Sequence, residues 1–317
     1  MKILVTGAAG FIGSHLAEKL AQRGEMVVGL DNFNDIVYPA QPKRENAVRL
    51  ARYPNIRLLE ADVRDRERVL ALFAAEQFDA VAHLAALAGV RNAVKYPNLY
   101  VDVNYNGSQN LMDGARLHNV ANFVFASTSS VYGNTQRIPF VEDDPCDRPL
   151  QPYAAAKRGI EILGHTYHYL FGLNFTAIRF FSVYGPQGRP DMMAYKLAES
   201  ITKGTALPYY NNGEMYRDWT YVGDITDGVV AAIQKPLGYE IMNLGRGEPI
   251  LLQTFVAEME RLAGQKANLI PQPKPAADVV QNFADISKAR RLLGYQPHIS
   301  FTEGIARFWA WYVEKRP

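Results

Sequence analysis

Cysteine is almost absent from this 317-residue chain. Cys146 stands alone in a Pro- and Asp-rich stretch, so no disulfide can form within the chain, and a reducing, cytoplasmic setting is expected. An excess of one charge sign is also lacking. Lys and Arg total 34 against 32 Asp and Glu, and no basic cluster is dense enough to read as a nucleic-acid footprint. No apolar run approaches the ~18 residues of a membrane-spanning helix, and the first residues read as a strand rather than a signal peptide. Neither nucleic acid nor membrane is therefore expected as a partner. The 6 histidines show no His-Glu-x-x-His or Cys/His spacing. His165 and His168 share a predicted helix but lack a third ligand, so no metal site is expected. Internal repeats and low-complexity segments are missing as well. What is present is ordinary for a globular protein, at 48% hydrophobic and 21% charged residues. A chain of this length can bury one large core or two modest ones.

The N-terminus carries the first positive signal. Lys2 to Thr6 is a short apolar run with a β-branched bias, as expected of a buried parallel strand. It leads into Gly7-Ala-Ala-Gly10-Phe11-Ile12-Gly13 and a helical pattern that Gly24 ends. Glycines at a strand-to-helix turn let the backbone approach a pyrophosphate, and the helix N-terminus stabilises its charge. A second strand ends in Asp31, where a carboxylate can accept hydrogen bonds from an adenosine ribose. An acid there repels a 2′-phosphate, so NAD is expected rather than NADP.

Strand and helix patterns then alternate. Strands are predicted over 56–61, 78–84, 122–128 and 174–181, and helices over 65–76, 97–117 and 152–171. This alternation predicts an open parallel sheet with helices on both faces, and such sheets bind ligands beyond the carboxyl ends of their strands. Gly7, Asp31, Asp62, Ala85 and Thr128 all fall at those ends. Beyond about residue 180, Gly and Pro become frequent and the pattern loosens, apart from strand–helix stretches at 224–234 and 239–245. This region is expected to form a smaller, irregular substrate-binding domain.

Two further segments suggest chemistry. Ser127-Thr128-Ser129-Ser130-Val131-Tyr132-Gly133 closes one predicted strand, and Tyr153-Ala-Ala-Ala-Lys157 opens the helix that follows. Four residues apart on a helix, Tyr153 and Lys157 share a face. A phenol with its ordinary pKa of ~10 is a poor base at neutral pH, and a nearby cation lowers that value. Such a tyrosine can take a proton from a sugar hydroxyl as hydride leaves the same carbon. Thr128 or a neighbouring serine could hold the substrate oxygen. Among 18 tyrosines one such spacing is expected by chance, so its position after the glycine turn and Asp31 is what gives it weight.

Taken together, these motifs resemble the extended short-chain dehydrogenase/reductase superfamily. Within it the chain is similar to nucleotide-sugar epimerases, most of all the UDP-glucuronate 4-epimerases. The resemblance is carried by Asp31-Asn-Phe-Asn-Asp35, by Phe181-Ser-Val-Tyr-Gly-Pro-Gln-Gly-Arg-Pro-Asp-Met192 and by Arg217-Asp-Trp-Thr-Tyr-Val222. Ala284-Asp-Ile-Ser-Lys-Ala289 and Leu293-Gly-Tyr-Gln-Pro297 match too. It implies an α/β fold: a Rossmann-like, doubly wound parallel sheet over residues 1–180, and a smaller α/β substrate domain over 181–317. The two would interleave through a returning segment near 220–245. It further implies a cofactor site of Gly7, Gly10, Phe11, Ile12, Gly13, Asp31, Asn32, Asp62, Val63, Leu84, Ala85 and Ala86 together with Tyr153 and Lys157. Tyr153 would be the base, Lys157 would bind the nicotinamide ribose and tune Tyr153, and Thr128 would orient the sugar hydroxyl. Ser129, Ser130, Ser182, Arg189, Arg217 and Asp278 complete the implied substrate site, with Arg217 near a UDP diphosphate and Arg189 near the sugar. A homodimer built on helices 97–117 and 152–171 is a further implication.

The chain departs from the family pattern in three places. Ile36-Val37-Tyr38-Pro39 replaces a Tyr-Tyr-Asp-Pro-like run, Trp219 and Gly223 replace Phe and Asp, and Pro275-Ala-Ala-Asp278 replaces Pro-Gly-Asp. Ser129 and Ser130 stand where related dehydratases and decarboxylases carry acids, and elimination needs an acid and a base at neighbouring carbons. The expected reaction is therefore oxidation at C4 by bound NAD, rotation of the 4-keto sugar, and hydride return to its other face. A guanidinium at 189 could pair bidentately with a C5 carboxylate, which favours UDP-glucuronate. UDP-glucose or UDP-N-acetylglucosamine 4-epimerisation is the alternative substrate reading. A non-catalytic dinucleotide-binding protein is the alternative of another class, since one fold serves many functions.

Overall fold

The computed structural model describes residues 1–275 and 279–315. Six strands alternate with helices through the first half: β1 (Lys2–Thr6), β2 (Met26–Asp31), β3 (Ile56–Glu60), β4 (Ala80–His83), β5 (Asn122–Thr128) and β6 (Phe175–Phe180). They join strand Tyr239–Leu244 in a sheet of order Tyr239–Leu244, β6, β5, β4, β1, β2, β3, parallel throughout. The expected doubly wound α/β architecture is present. Between β1 and β4 the strand order reverses, and in such sheets a ligand crevice opens at that point.

The intervening helices are α1 (Phe11–Gln22), α2 (Gln41–Leu50), α3 (Arg66–Glu76), α4 (Val90–Lys95), α5 (Pro97–Val101), α6 (Gly107–Leu117) and α7 (Pro152–Phe171). The helix predicted over 97–117 is α5 and α6 joined by a π-helical turn, Asp102–Asn106. Such turns re-aim the side chains around them, and Asn104 in this one is buried. Its amide donates to Leu87 O at 2.9 Å and accepts from Leu87 N at 2.9 Å, which pins the loop after β4. α7 begins where predicted because Gln151 caps it, accepting from Ala154 N at 3.2 Å, with Pro152 in its first turn. Gly172, at φ +69°, ends it.

Packing of α7 on the sheet sets the site. Phe123, Phe125 and Phe175 stack beneath it with centroids 5.7 and 5.9 Å apart. A Cβ on Gly164 would lie 2.4 Å from Phe175, so only glycine allows so close an approach. Among these rings lies an ion pair that excludes water entirely. Glu161 and Arg179 are both 0% exposed and meet through two bonds of 3.0 and 2.8 Å. Ser127 on β5 donates to the same carboxylate at 2.6 Å, and Arg158 adds a bond of 3.0 Å.

The region after residue 180 is more regular than its sequence suggests. It holds helices Met193–Lys203, Val222–Gln234, Leu252–Ala263, Ser287–Leu293 and Phe301–Lys315. Three glycines of this region are helix ends: Gly204, Gly264 and Gly294 cap three of these helices with φ of +69°, +67° and +70°. Among the described residues no helix is long and apolar enough to cross a membrane.

Removing one partner of a buried ion pair leaves the other charge uncompensated, at a cost of about 3–5 kcal/mol. Glu161→Ala is therefore expected to lower the unfolding free energy by that amount in urea titrations. A loss below about 1 kcal/mol would show that the pair does not hold α7 to the sheet.

Candidate active site

A cleft of about 890 Å³ runs along the carboxyl ends of the strands and continues past residue 180. The predicted residues Gly7, Gly10, Phe11, Ile12, Gly13, Asp31, Asn32, Val63, Leu84, Ala85, Ala86, Thr128, Ser129, Ser130, Tyr153, Lys157, Ser182, Arg189 and Arg217 all line it. Asp62 does not. Its carboxylate turns to Arg64 and Asn32 instead, and its neighbour Val63 forms the wall. Burial pushes that carboxyl up, but the bonds from Arg64 and Asn32 outweigh it and hold the pKa at about 2. Asp278 lies outside the described residues.

At one end, the glycine turn forms a cradle. Gly7 has φ +66°, and its N–H donates to Leu30 O at 2.7 Å. A Cβ on Gly13 would lie 2.0 Å from Gly7 O, so the tight turn requires glycine there. A Cβ on Gly10 would meet only Gly7 O, at 3.1 Å, which leaves the cradle mouth open. α1 starts at this point with no side-chain cap and no acidic residue in its first turn, which suits an anion at its N-terminus. Asp31 sits beside it, 7% exposed, accepting from Ala9 N at 3.1 Å and Phe33 N at 2.9 Å. Burial raises its pKa against the pull of Phe33 N–H, Lys43 and Ala9 N–H. The oxygens keep further lone pairs, which suit a ribose diol.

Halfway along, α7 meets the end of β5. Lys157 is 1% exposed, its ammonium lies 4.4 Å from the centre of the Phe125 ring, and Nζ has no hydrogen-bond partner among the described residues. Burial pulls its pKa to about 7, with Glu161 opposing the fall. An orphaned buried ammonium, a glycine cradle and a buried carboxylate together fit a nicotinamide dinucleotide laid along the cleft. Tyr153 stands one helical turn before Lys157, edge-on to Tyr100 with centroids 6.4 Å apart.

The phenol departs from expectation. Burial raises the Tyr153 pKa, and the Thr128 hydroxyl and Arg189 pull it back. Thr128 also caps the short helix Ser129–Tyr132, accepting from Ser130 N at 3.2 Å, and donates to Ser130 Oγ at 3.3 Å. Ser129 Oγ accepts from Asn282 at 3.2 Å.

The far end belongs to the second half of the chain. Arg189 points its guanidinium at Asp191 through bonds of 2.9 and 2.6 Å; burial works against its charge, and Asp191, with Tyr38 and Tyr153, outweighs it. Arg217 is central in a small sheet formed by Tyr216–Arg217, Ile250–Leu251 and Gln281–Asn282. Its Nη1 donates to Tyr216 O at 2.8 Å and Val280 O at 3.3 Å. Neither Asp218 nor Asp224 takes it as a salt-bridge partner. Asp218, fully buried, accepts from the N–H groups of Arg246, Gly247 and Ala284 and from Thr220. Asp224 is engaged with His298, 3.0 Å away. With Asp227 these two form a group whose ligand atoms lie within 4.8 Å of one another, but Asp224 already accepts two backbone N–H bonds and Lys19 pairs with Asp227.

Several lining residues escaped the sequence reading, among them Tyr38, Lys43, Lys196, Trp219 and Asn282. Tyr38 and Trp219 were visible only as departures from a pattern. Lys43 sits on α2, a polar helix with no apolar stripe to mark it.

The burial of Lys157 has a pH signature. Its pKa is about 7 in the fold against an ordinary 10.5, so between these values the unfolded chain binds the extra proton. Stability of the protein freed of cofactor should therefore rise as pH climbs from about 7. Lys157→Met should flatten that rise in urea midpoints taken at pH 7 to 9, and an unchanged slope would contradict the buried ammonium.

The chain was compared with known proteins. The model of the NAD dependent epimerase/dehydratase family matches residues 3–245. A UDP-glucuronate 4-epimerase of Thermodesulfobacterium geofontis is 42% identical, over 98% of this chain and 96% of that protein. The crystal structure of UDP-glucuronic acid 4-epimerase from Bacillus cereus, in complex with UDP-glucuronic acid and NAD, superposes with a TM-score of 0.92. It is 34% identical, over 99% of this chain and 100% of that one. A UDP-glucose 4-epimerase of Thermotoga maritima, solved with UDP-glucose, gives a TM-score of 0.90 at 29% identity and covers 100% of both chains. With the glycine cradle, Asp31 and the Tyr153–Lys157 pair along one cleft, the chain belongs to the NAD dependent epimerase/dehydratase family.

Proposed function

We propose that the protein interconverts UDP-glucuronate and UDP-galacturonate by epimerisation at C4. The observation that carries this reading is the position of Arg189, a half-buried guanidinium that lines the same cleft as Tyr153. A planar, permanently charged fork next to the proposed base suits a sugar carboxylate and has no counterpart group on glucose. Relatives that carry the UDP-glucuronate 4-epimerase name support it.

NAD, when bound, supplies the acceptor and then the donor of the C4 hydride. Thr128 holds the C4 oxygen through its hydroxyl. Tyr153 takes the proton from that oxygen and gives it back once the sugar has turned over. Lys157, whose Nζ has no hydrogen-bond partner among the described residues, would donate to the nicotinamide ribose, a bond that favours its charged form beside the phenol. Arg217 faces the diphosphate. Ser129 and Ser130 are neutral hydroxyls, so no acid stands ready to expel a group from a neighbouring carbon. The 4-keto sugar is a β-keto acid, which loses CO₂ when the bond to its carboxylate aligns with the carbonyl π system. Arg189, by holding the carboxylate near the ring plane, disfavours that alignment.

A second copy of the chain is the partner this reading includes. α7 packs against α5 and α6, and this helical face exposes Ile162, Tyr169, Leu170 and Phe171 along with Val94, Val101 and Leu117. Sedimentation equilibrium is expected to give the mass of a dimer, and a monomer at micromolar concentration would contradict it.

Incubation with UDP-glucuronate and with UDP-glucose, without added NAD, tests the function. Turnover of the uronate should exceed that of the neutral sugar, and the reverse would favour a neutral-sugar epimerase. Tyr153→Phe should keep its NAD but lose at least about 100-fold in rate, the lower range for a general acid–base group. Arg189→Ala should release more UDP-pentose per turnover. Near-normal rates in the first variant, or an unchanged pentose share in the second, would refute those roles.

A further inference from the structure

The segment between β2 and α2 departs from the family pattern, and it reaches the sugar end of the cleft. Tyr38, which stands in that departure, lines the cleft and is half-buried. Two cations lie by its ring: the Lys43 ammonium is 4.7 Å from the centroid and the Arg189 guanidinium carbon 5.5 Å. Lys43 is itself buried, donates to Asn34 O and feels the charge of Asp31. Like charges repel, and an aromatic face near both offers each a favourable contact.

Arg189 is thus held on two sides. Its Nε and Nη2 are tied to Asp191, and its plane lies near the Tyr38 ring. The loop pinned by Asn104 comes up to the same place. A Cβ built on Gly89 would sit 3.8 Å from Val37 and 3.9 Å from Arg189 Nη2. The Nη1 donors remain for a ligand, in a side chain that has few rotamers left to choose from.

We infer that Tyr38 is a positioning residue for Arg189, its ring keeping the guanidinium aimed at the sugar end of the cleft and so making the site selective for an acidic sugar. The inference rests on the reading of the substrate as a UDP-uronic acid. It concerns how this chain aims its arginine, since Tyr38 itself need not touch the substrate.

The test uses the NAD-loaded enzyme and the variants Tyr38→Leu, Tyr38→Met and Tyr38→Phe. In the Leu and Met variants KM for UDP-glucuronate should rise about 5- to 10-fold, the scale of one cation–π contact, while kcat changes less than about 2-fold. The inhibition constant of UDP, which carries no sugar carboxylate, should stay unchanged. Tyr38→Phe keeps the ring and should keep wild-type values, and bound NAD should be equal in all four proteins. Equal losses for UDP and UDP-glucuronate, a Phe variant that behaves like Leu, or NAD loss in both non-aromatic variants would each overturn the inference. Wild-type enzyme with no preference for UDP-glucuronate would overturn the substrate reading and this inference together. A preference left undiminished in Tyr38→Leu would overturn this inference alone.

Discussion

Much of the molecule depends on the carboxylate of Glu161. It is wholly buried, and it ties α7 to two strands at once, to β5 through Ser127 and to β6 through Arg179. Burying these charges brings little net stability compared with apolar packing of the same shape. Its effect is on register. Glu161, Lys157 and Tyr153 follow one another at one-turn intervals on the same face of α7. Ser127 immediately precedes Thr128. Bonding Ser127 to Glu161 therefore sets where the phenol and ammonium stand against the end of β5.

The remaining parts of the cleft are placed by backbone demands. The glycine turn is tight because Gly13 has no Cβ to strike Gly7 O. The loop after β4 is level with it because Asn104 satisfies both backbone groups of Leu87. The chain then supplies the sugar end from its second half, with Arg189 and Arg217 carried on short connections. The outcome is a cleft with a carboxylate at one end, a poorly hydrated ammonium in the middle and guanidinium groups at the other.

Local signals in the sequence were legible where one element speaks for itself. β5 and α7 occur with the bounds their patterns predict, because a fully covered parallel strand is a continuous apolar run and α7 carries its own cap and stop. The second half was harder to read. Frequent Gly and Pro suggest broken structure there, yet Gly204, Gly264 and Gly294 simply end helices. The direction of the Tyr153 pKa could not be read either, since helical spacing reveals a neighbour and not the depth at which both are buried. Asp62 looked like a cofactor ligand by its place at a strand end, yet Arg64 two residues on takes its carboxylate. Tyr38 and Arg189 are far apart in sequence, and their meeting depends on a loop, a helix and a second domain-sized segment closing on one spot.

Asp218 binds through backbone alone in most of its contacts: the N–H groups of Arg246, Gly247 and Ala284 converge on it, whatever side chains those residues bear. One acidic residue thus gathers two remote segments, requiring glycine at 245, where a Cβ would lie 2.5 Å from its carboxylate, but making no demand on the side chains that point away. Sequence drift can rewrite the surface of those segments while their course stays the same. The second half of the chain is consequently open to evolutionary retailoring around a fixed hub, without rebuilding the glycine turn and the Tyr153–Lys157 pair of the first.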